Sequence, residues 1–169
     1  MEITLEQLLE ARDRRSEKQI ALVNEWPDRT LVCMTVVLPG PVKRDARSLK
    51  VAEAGIKAVR EVFSPVHEEC YDRETGFEGF FLVDGELLDV KKACCMIENT
   101  HPCGRLLDLD VLEKAGESVV PVERERVGET PRKCLVCGRP ARECMRAHTH
   151  GFADIVQAVD KIVSTLENP

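Results

Sequence analysis

The stretch that decides how this chain is read is His101-Pro102-Cys103-Gly104-Arg105-Leu106-Leu107-Asp108-Leu109-Asp110-Val111. A Pro/Gly turn releases the backbone into a short apolar strand that carries two aspartates. Alternate residues of a strand share a face, so Asp108 and Asp110 point one way and Leu107, Leu109 and Val111 pack the other. Two adjacent carboxylates repel each other unless a cation or a shared proton relieves them. The pair is therefore a natural seat for Mg²⁺, a hard cation that takes one or two carboxylates and leaves room for substrate phosphates. The plain alternative for so short a motif is a solvated strand face.

Upstream of this strand the pattern alternates strand and helix. Leu31 to Leu38 is an apolar, β-branched run that stops at Pro39-Gly40-Pro41, and Val42-Lys43-Arg44 leads into a helix over about residues 45–63. Exposed N–H groups at that helix start, with the Lys43 charge, favour an anion, although a plain connecting turn reads equally well here. Val66–Tyr71 and Glu78–Val83 form a hairpin around Asp72-Arg73-Glu74-Thr75-Gly76. A helix over 86–99 follows, with Leu87, Val90, Cys94 and Ile97 as its buried stripe, and a further strand lies near Ser118–Glu125.

Residues 31–112 thus read β-α-β-β-α-β, an α+β core of the ferredoxin-like or nucleotidyltransferase-like kind. That order brings the end of the first strand, the hairpin turn and the start of the Asp108 strand to one edge of the sheet. Lys43, Arg44 and Arg105 are then expected to frame the two aspartates, a setting for a phosphorylated ligand. A helix over residues 4–24 precedes the core, capped by Thr4 with Gln7 completing a capping box. Leu5, Leu8 and Leu9 give that helix an apolar stripe. Its charged run from Arg12 to Lys18 reads as a solvated face or as a dock for an acidic partner. The chain divides into a helical segment (1–30), a catalytic core (31–126) and a Cys/His loop with a C-terminal amphipathic helix (127–169), all within a single domain.

Cys134, Cys137, Cys144 and His150 give C-x2-C-x6-C-x5-H, four ligand-type residues on the spacing of a small structural Zn²⁺ site. His148 competes with His150 for the fourth place. Free reduced thiols are the other reading, and redox chemistry is disfavoured because no thioredoxin-like context surrounds the C-x-x-C. Arg139, Arg142 and Arg146 make this loop locally basic. Of the other cysteines, Cys33, Cys94, Cys95 and Cys103 sit in apolar or helical surroundings and read as reduced core or turn residues.

Composition narrows the class. The 169 residues carry a net charge of −6 and only 4% aromatics, which argues against nucleic acid as the main partner. There is no apolar run of membrane-spanning length, and the start Met-Glu-Ile-Thr-Leu-Glu is not a secretory signal, so a cytoplasmic location is expected.

Assembled, these stretches resemble the apo-citrate lyase phosphoribosyl-dephospho-CoA transferase family. The matching segments are Leu8 to Arg14, Thr35 to Lys43, His101 to Val111 and the Cys134/Cys137/Cys144/His150 cluster, in the family's order. The resemblance implies transfer of a phosphoribosyl-dephospho-CoA group from 2'-(5''-triphosphoribosyl)-3'-dephospho-CoA to a serine of the citrate lyase acyl carrier protein, the gamma subunit, with release of pyrophosphate. On that footing Asp108 and Asp110 hold Mg²⁺ or Mn²⁺, Arg105 and Lys43 neutralise phosphates with Arg44 beside them, and His101 orients a phosphate, moves a proton or caps the turn. Glu98, Glu113 and Glu123 are open candidates for a third carboxylate. A non-enzymatic zinc-binding adaptor for a carrier protein or nucleic acid is the competing reading.

Overall fold

The computed structural model describes residues 1–166. The capping box expected at Thr4 is present: Thr4 Oγ1 accepts the Gln7 N–H at 3.2 Å and Gln7 Oε1 accepts the Thr4 N–H at 2.8 Å. It opens α1 (Leu5–Glu25), which leads to β1 (Thr30–Val36) and α2 (Ala46–Phe63), whose N-terminus Asp45 caps by accepting from Arg47 and Ser48. The hairpin β2 (His67–Arg73) and β3 (Gly76–Val83) follows, then α3 (Leu87–Thr100), β4 (Leu107–Ala115) and β5 (Ser118–Pro121). A six-residue helix α4 (Ala141–Arg146) and α5 (Phe152–Ser164) end the described chain. No described helix is long and apolar enough to cross a membrane.

The five strands form one antiparallel sheet in the order β2-β3-β1-β4-β5. Its two faces bury different partners. Val32 and Met34 of β1, Phe77, Phe81 and Val83 of β3, and Leu107, Leu109 and Val111 of β4 form the main core with α2, α3 and α5. The contact is tight: a Cβ on Gly55 of α2 would stand 2.7 Å from Leu107 Cδ2 and 2.8 Å from Met34 Sδ, so a side chain there would have to displace both. The opposite face carries a smaller cluster of Leu31, Cys33, Phe80, Leu82 and Leu112, covered by Leu22 and Val23 of α1 and by Trp26 just past its end.

The expectation for α1 needs correcting. Leu5 and Leu9 are 72% and 48% exposed, and the helix is instead anchored by Ala11 and Leu22. The predicted strand over Ser118–Glu125 is also shorter, ending at Pro121, with a 3₁₀ turn over Arg124–Val127.

Candidate active site

The register puts the candidates on the strands into rows. Thr35 of β1 pairs with Glu78 on one side and Asp108 on the other, while Cys33 pairs with Phe80 and Asp110. Paired residues share a face, so Glu78, Thr35, Asp108, Cys33 and Asp110 all look toward α1. The same register brings the end of β1, the β2–β3 turn and the start of β4 to one edge of the sheet, as the β-α-β-β-α-β order requires.

The cations expected there are otherwise engaged. Arg44 is held by Asp72 at 2.7 Å and Glu74 at 3.7 Å on the hairpin turn. The Lys43 ammonium donates to the Leu38 carbonyl at 2.7 Å, and burial lowers its pKa. Arg105 donates to the backbone carbonyls of Lys133 and Cys134. His101 Nδ1 accepts the Cys103 N–H at 3.3 Å, so its ring caps the turn, and burial lowers its pKa. Gly104 sits in the same turn with its Cα pressed against α3. A Cβ there would lie 2.4 Å from the Ile97 carbonyl oxygen and 2.6 Å from that of Glu98.

The aspartates meet different cations. Arg132 Nη1 donates to Asp108 Oδ1 at 2.7 Å, and its Nη2 donates to the carbonyl of Leu107 at 2.6 Å and that of Arg105 at 3.2 Å. Arg15 of α1 stands 3.5 Å from Glu78, which Arg73 also approaches at 3.5 Å. Lys18 pairs with Glu69 at 2.7 Å, so this charged run turns part of its length onto the acidic face of the sheet. Among the described residues Asp110 has no such close partner, and its pKa is pushed up to about 6, first by burial and then by the Asp108 charge. Two carboxylates on one strand face, one of them left short of positive charge, are a donor set that suits a hard divalent cation. Cys33 between them is a core thiol pushed up to about 12 by burial, too high for nucleophilic work near neutral pH.

Beyond its pairing with β5, the outer edge of β4 is closed by side chains. Glu98 Oε1 accepts the Leu109 N–H at 2.8 Å, the Lys91 ammonium donates to the Leu109 carbonyl at 3.3 Å, and the Val122 N–H reaches the Val111 carbonyl at 2.8 Å. The other Glu98 oxygen accepts from Arg124. Glu98 is therefore bound up in the fold, Glu113 is paired with Arg126, and Glu123 is exposed. Glu78 is the carboxylate that shares the face and the row of Asp108. Sequence reasoning passed over it, because only strand register reveals that Glu78 and Asp108 flank the same threonine.

The Cys/His loop closes on itself. The ligand atoms of Cys134, Cys137, Cys144 and His150 all lie within 4.8 Å of one another, with Cys137 Sγ 3.5 Å from Cys144 Sγ and 3.2 Å from His150 Nε2. A tetrahedral zinc with bonds of about 2.3 Å needs sulfur atoms roughly 3.8 Å apart, so the donor set fits. His150, not His148, belongs to this set; His148 instead adopts a left-handed backbone at φ 45°. The Cys137 thiol is held down to about 6, foremost by a hydrogen bond from Arg139, which favours the thiolate a metal requires.

Comparison with known proteins places the chain among the transferases. A sequence model of the apo-citrate lyase phosphoribosyl-dephospho-CoA transferase family matches residues 3–166, and the chain belongs to that family. A probable apo-citrate lyase phosphoribosyl-dephospho-CoA transferase from Streptococcus pyogenes serotype M18 is 30% identical over 170 residues, covering 98% of this chain and 88% of the relative. The corresponding transferase from Citrobacter koseri is 31% identical, covering 95% of this chain and 88% of its own length. Protein CitXG of Leuconostoc mesenteroides subsp. cremoris is 31% identical across 98% of this chain, which spans 36% of that longer protein.

Proposed function

We propose that this protein attaches the phosphoribosyl-dephospho-CoA group to apo-citrate lyase, taking it from 2'-(5''-triphosphoribosyl)-3'-dephospho-CoA and placing it on a serine of the acyl carrier gamma subunit. The observation that carries this reading is the family match, which runs from residue 3 to residue 166 and so includes both the Asp108/Asp110 strand and the Cys/His loop. The reaction is a phosphoryl substitution. A bond forms between the serine oxygen and the α-phosphorus, the bond from that phosphorus to the bridging oxygen breaks, and pyrophosphate leaves with the electron pair.

Asp108 and Asp110 would hold Mg²⁺ or Mn²⁺, which when bound withdraws charge from the phosphate oxygens. We assign the serine proton to one of these two carboxylates, which share a strand face. Arg132, bonded to Asp108, and Arg105, in the turn ahead of β4, would supply positive charge to the phosphates. Cys134, Cys137, Cys144 and His150 would hold a structural zinc, since the four ligand atoms leave no open position for chemistry. We read the core as the ferredoxin-like split βαβ type, supported by the strand order β2-β3-β1-β4, and the site of action as the cytoplasm, supported by eight free cysteines.

Intact-mass spectrometry of apo acyl carrier protein tests the reading. Incubation with this enzyme, the triphosphoribosyl precursor and Mg²⁺ should add one prosthetic group to a serine, and EDTA should prevent it. Asp108→Asn and Asp110→Asn should abolish the mass gain while leaving folded protein. A full mass gain in both variants would remove the two aspartates from the mechanism, and no gain in the wild type would refute the transfer itself.

A further inference from the structure

The edge of β4 that Glu98 and Lys91 close has a feature that its structural role does not explain. Where residues 130–133 cross it, they leave a cleft of about 300 Å³ between themselves, the turn at Arg105 and the end of α3. Four cations line it, Arg105, Arg124, Arg132 and Lys133, against a single carboxylate, Glu98. That carboxylate already serves the Leu109 N–H and Arg124. The Lys133 ammonium has no hydrogen-bond or ion-pair partner among the described residues, and its side chain is exposed. A protein with a net charge of −6 has thus concentrated positive charge in one concave place. The cleft abuts the aspartate pair through Arg132, whose Nη1 is 2.7 Å from Asp108 and 3.5 Å from Glu98.

We propose that this cleft is the subsite for the diphosphate end of the triphosphate substrate, the part that leaves as pyrophosphate. The proposal rests on the transfer reading above for the identity of its ligand, and on the cleft alone for its chemistry. A planar guanidinium fork that satisfies a carboxylate satisfies a phosphate equally well, so Arg132 can turn from Asp108 to a phosphate oxygen. Such a turn uncovers Asp108 as the substrate arrives. Lys133 adds a mobile point charge at the rim, and Arg105 stays fixed by its backbone carbonyls. Charge that develops on the departing diphosphate then meets donors already in place.

The substrate carries a second diphosphate within its dephospho-CoA part, so the test separates the two sources. Inorganic diphosphate, tripolyphosphate and dephospho-CoA are titrated calorimetrically into the wild type, Lys133→Glu, Arg132→Gln and the control Lys57→Glu, with Mg²⁺ present. Lys57 lies on the exposed flank of α2 beside Glu61, away from the cleft. Diphosphate and tripolyphosphate should bind the wild type and the control alike and weaken about tenfold or more in both cleft variants, the loss expected for a charge-assisted contact. Dephospho-CoA binding should not change. Lys133→Glu decides the matter, because reversing an exposed, unpartnered charge leaves the fold intact, as a melting curve would verify. Equal diphosphate binding in all four proteins, or a loss confined to dephospho-CoA, overturns the proposal. Intact diphosphate binding with no prosthetic-group transfer would strike the transfer reading and leave the anion subsite standing.

Discussion

Replacing Glu98 by alanine separates a structural role from a metal-binding one. Glu98 is 5% exposed; it accepts the Leu109 N–H at 2.8 Å and pairs with Arg124, whose side chain is 12% exposed. Truncation orphans a buried backbone donor, at a cost of about 1–3 kcal/mol. It also leaves the Arg124 guanidinium without its principal counter-charge, and breaking a buried pair from one side costs about 3–5 kcal/mol. The two losses share a group and do not add fully, and burial already raises the Glu98 pKa, which marks the charged form as strained. About 4 kcal/mol is the expected net loss. For a chain of this length that lowers the melting temperature by roughly 8–16 °C. Glu98→Gln keeps an oxygen for the Leu109 N–H and should lose about half as much. Calorimetric melting with urea denaturation measures both variants. A Glu98→Ala protein that melts like the wild type but no longer responds to Mg²⁺ would refute this account and return Glu98 to the metal site.

Three further outcomes follow from the geometry. Gly104→Ala forces a Cβ to within 2.4 Å of the Ile97 carbonyl oxygen, a clash with backbone that no rotamer relieves, so about 1–3 kcal/mol or more of stability should be lost in denaturant titration. Metal analysis should find about one zinc per chain, and Cys137→Ser or Cys144→Ser should abolish it. The zinc-free loop should then become protease-sensitive between residues 130 and 150, because its bridge between Lys133 and Pro140 is isolated. The third outcome concerns Glu69, whose pKa is lowered to about 2, first by Lys18 and then by Tyr71 and His67. A depressed carboxylate contributes stability above its unfolded value, near 4.5, and loses it as pH falls toward 2. Lys18→Met should therefore cost about 0.5–1 kcal/mol at pH 6, and the difference from the wild type should shrink steadily through that acid window.

Much of this protein is written locally. The Thr4/Gln7 box, the turn at Glu74-Thr75, the stripe of α3 and the alternation of β4 each depend on neighbours within a few residues. Periodicity and capping therefore located those elements to within about two residues, and ligand spacing brought the Cys/His cluster into view, because a short chain segment can reach only so far. The alternation in β4 likewise assigned Asp108 and Asp110 to one face before any partner strand was known.

The company those aspartates keep depends on tertiary structure. Arg132 is 24 residues from Asp108 in the chain, and Arg15 reaches Glu78, in the same row, from α1; neither contact leaves a trace in local pattern. Leu5 and Leu9 looked like core by spacing and are exposed, since the sheet beneath α1 is covered from Ala11 to Leu22 instead. Arg44 and Lys43 stand at the expected edge but bind the hairpin and a backbone carbonyl, because long side chains go to the nearest unsatisfied acceptor. His150 was chosen over His148 by closure of the loop, a choice spacing left open. Local sequence carries the propensities and the ligand types. Which charges meet across strands, and which fill an edge rather than a substrate site, depends on a register and a burial pattern that exist only once the sheet has formed.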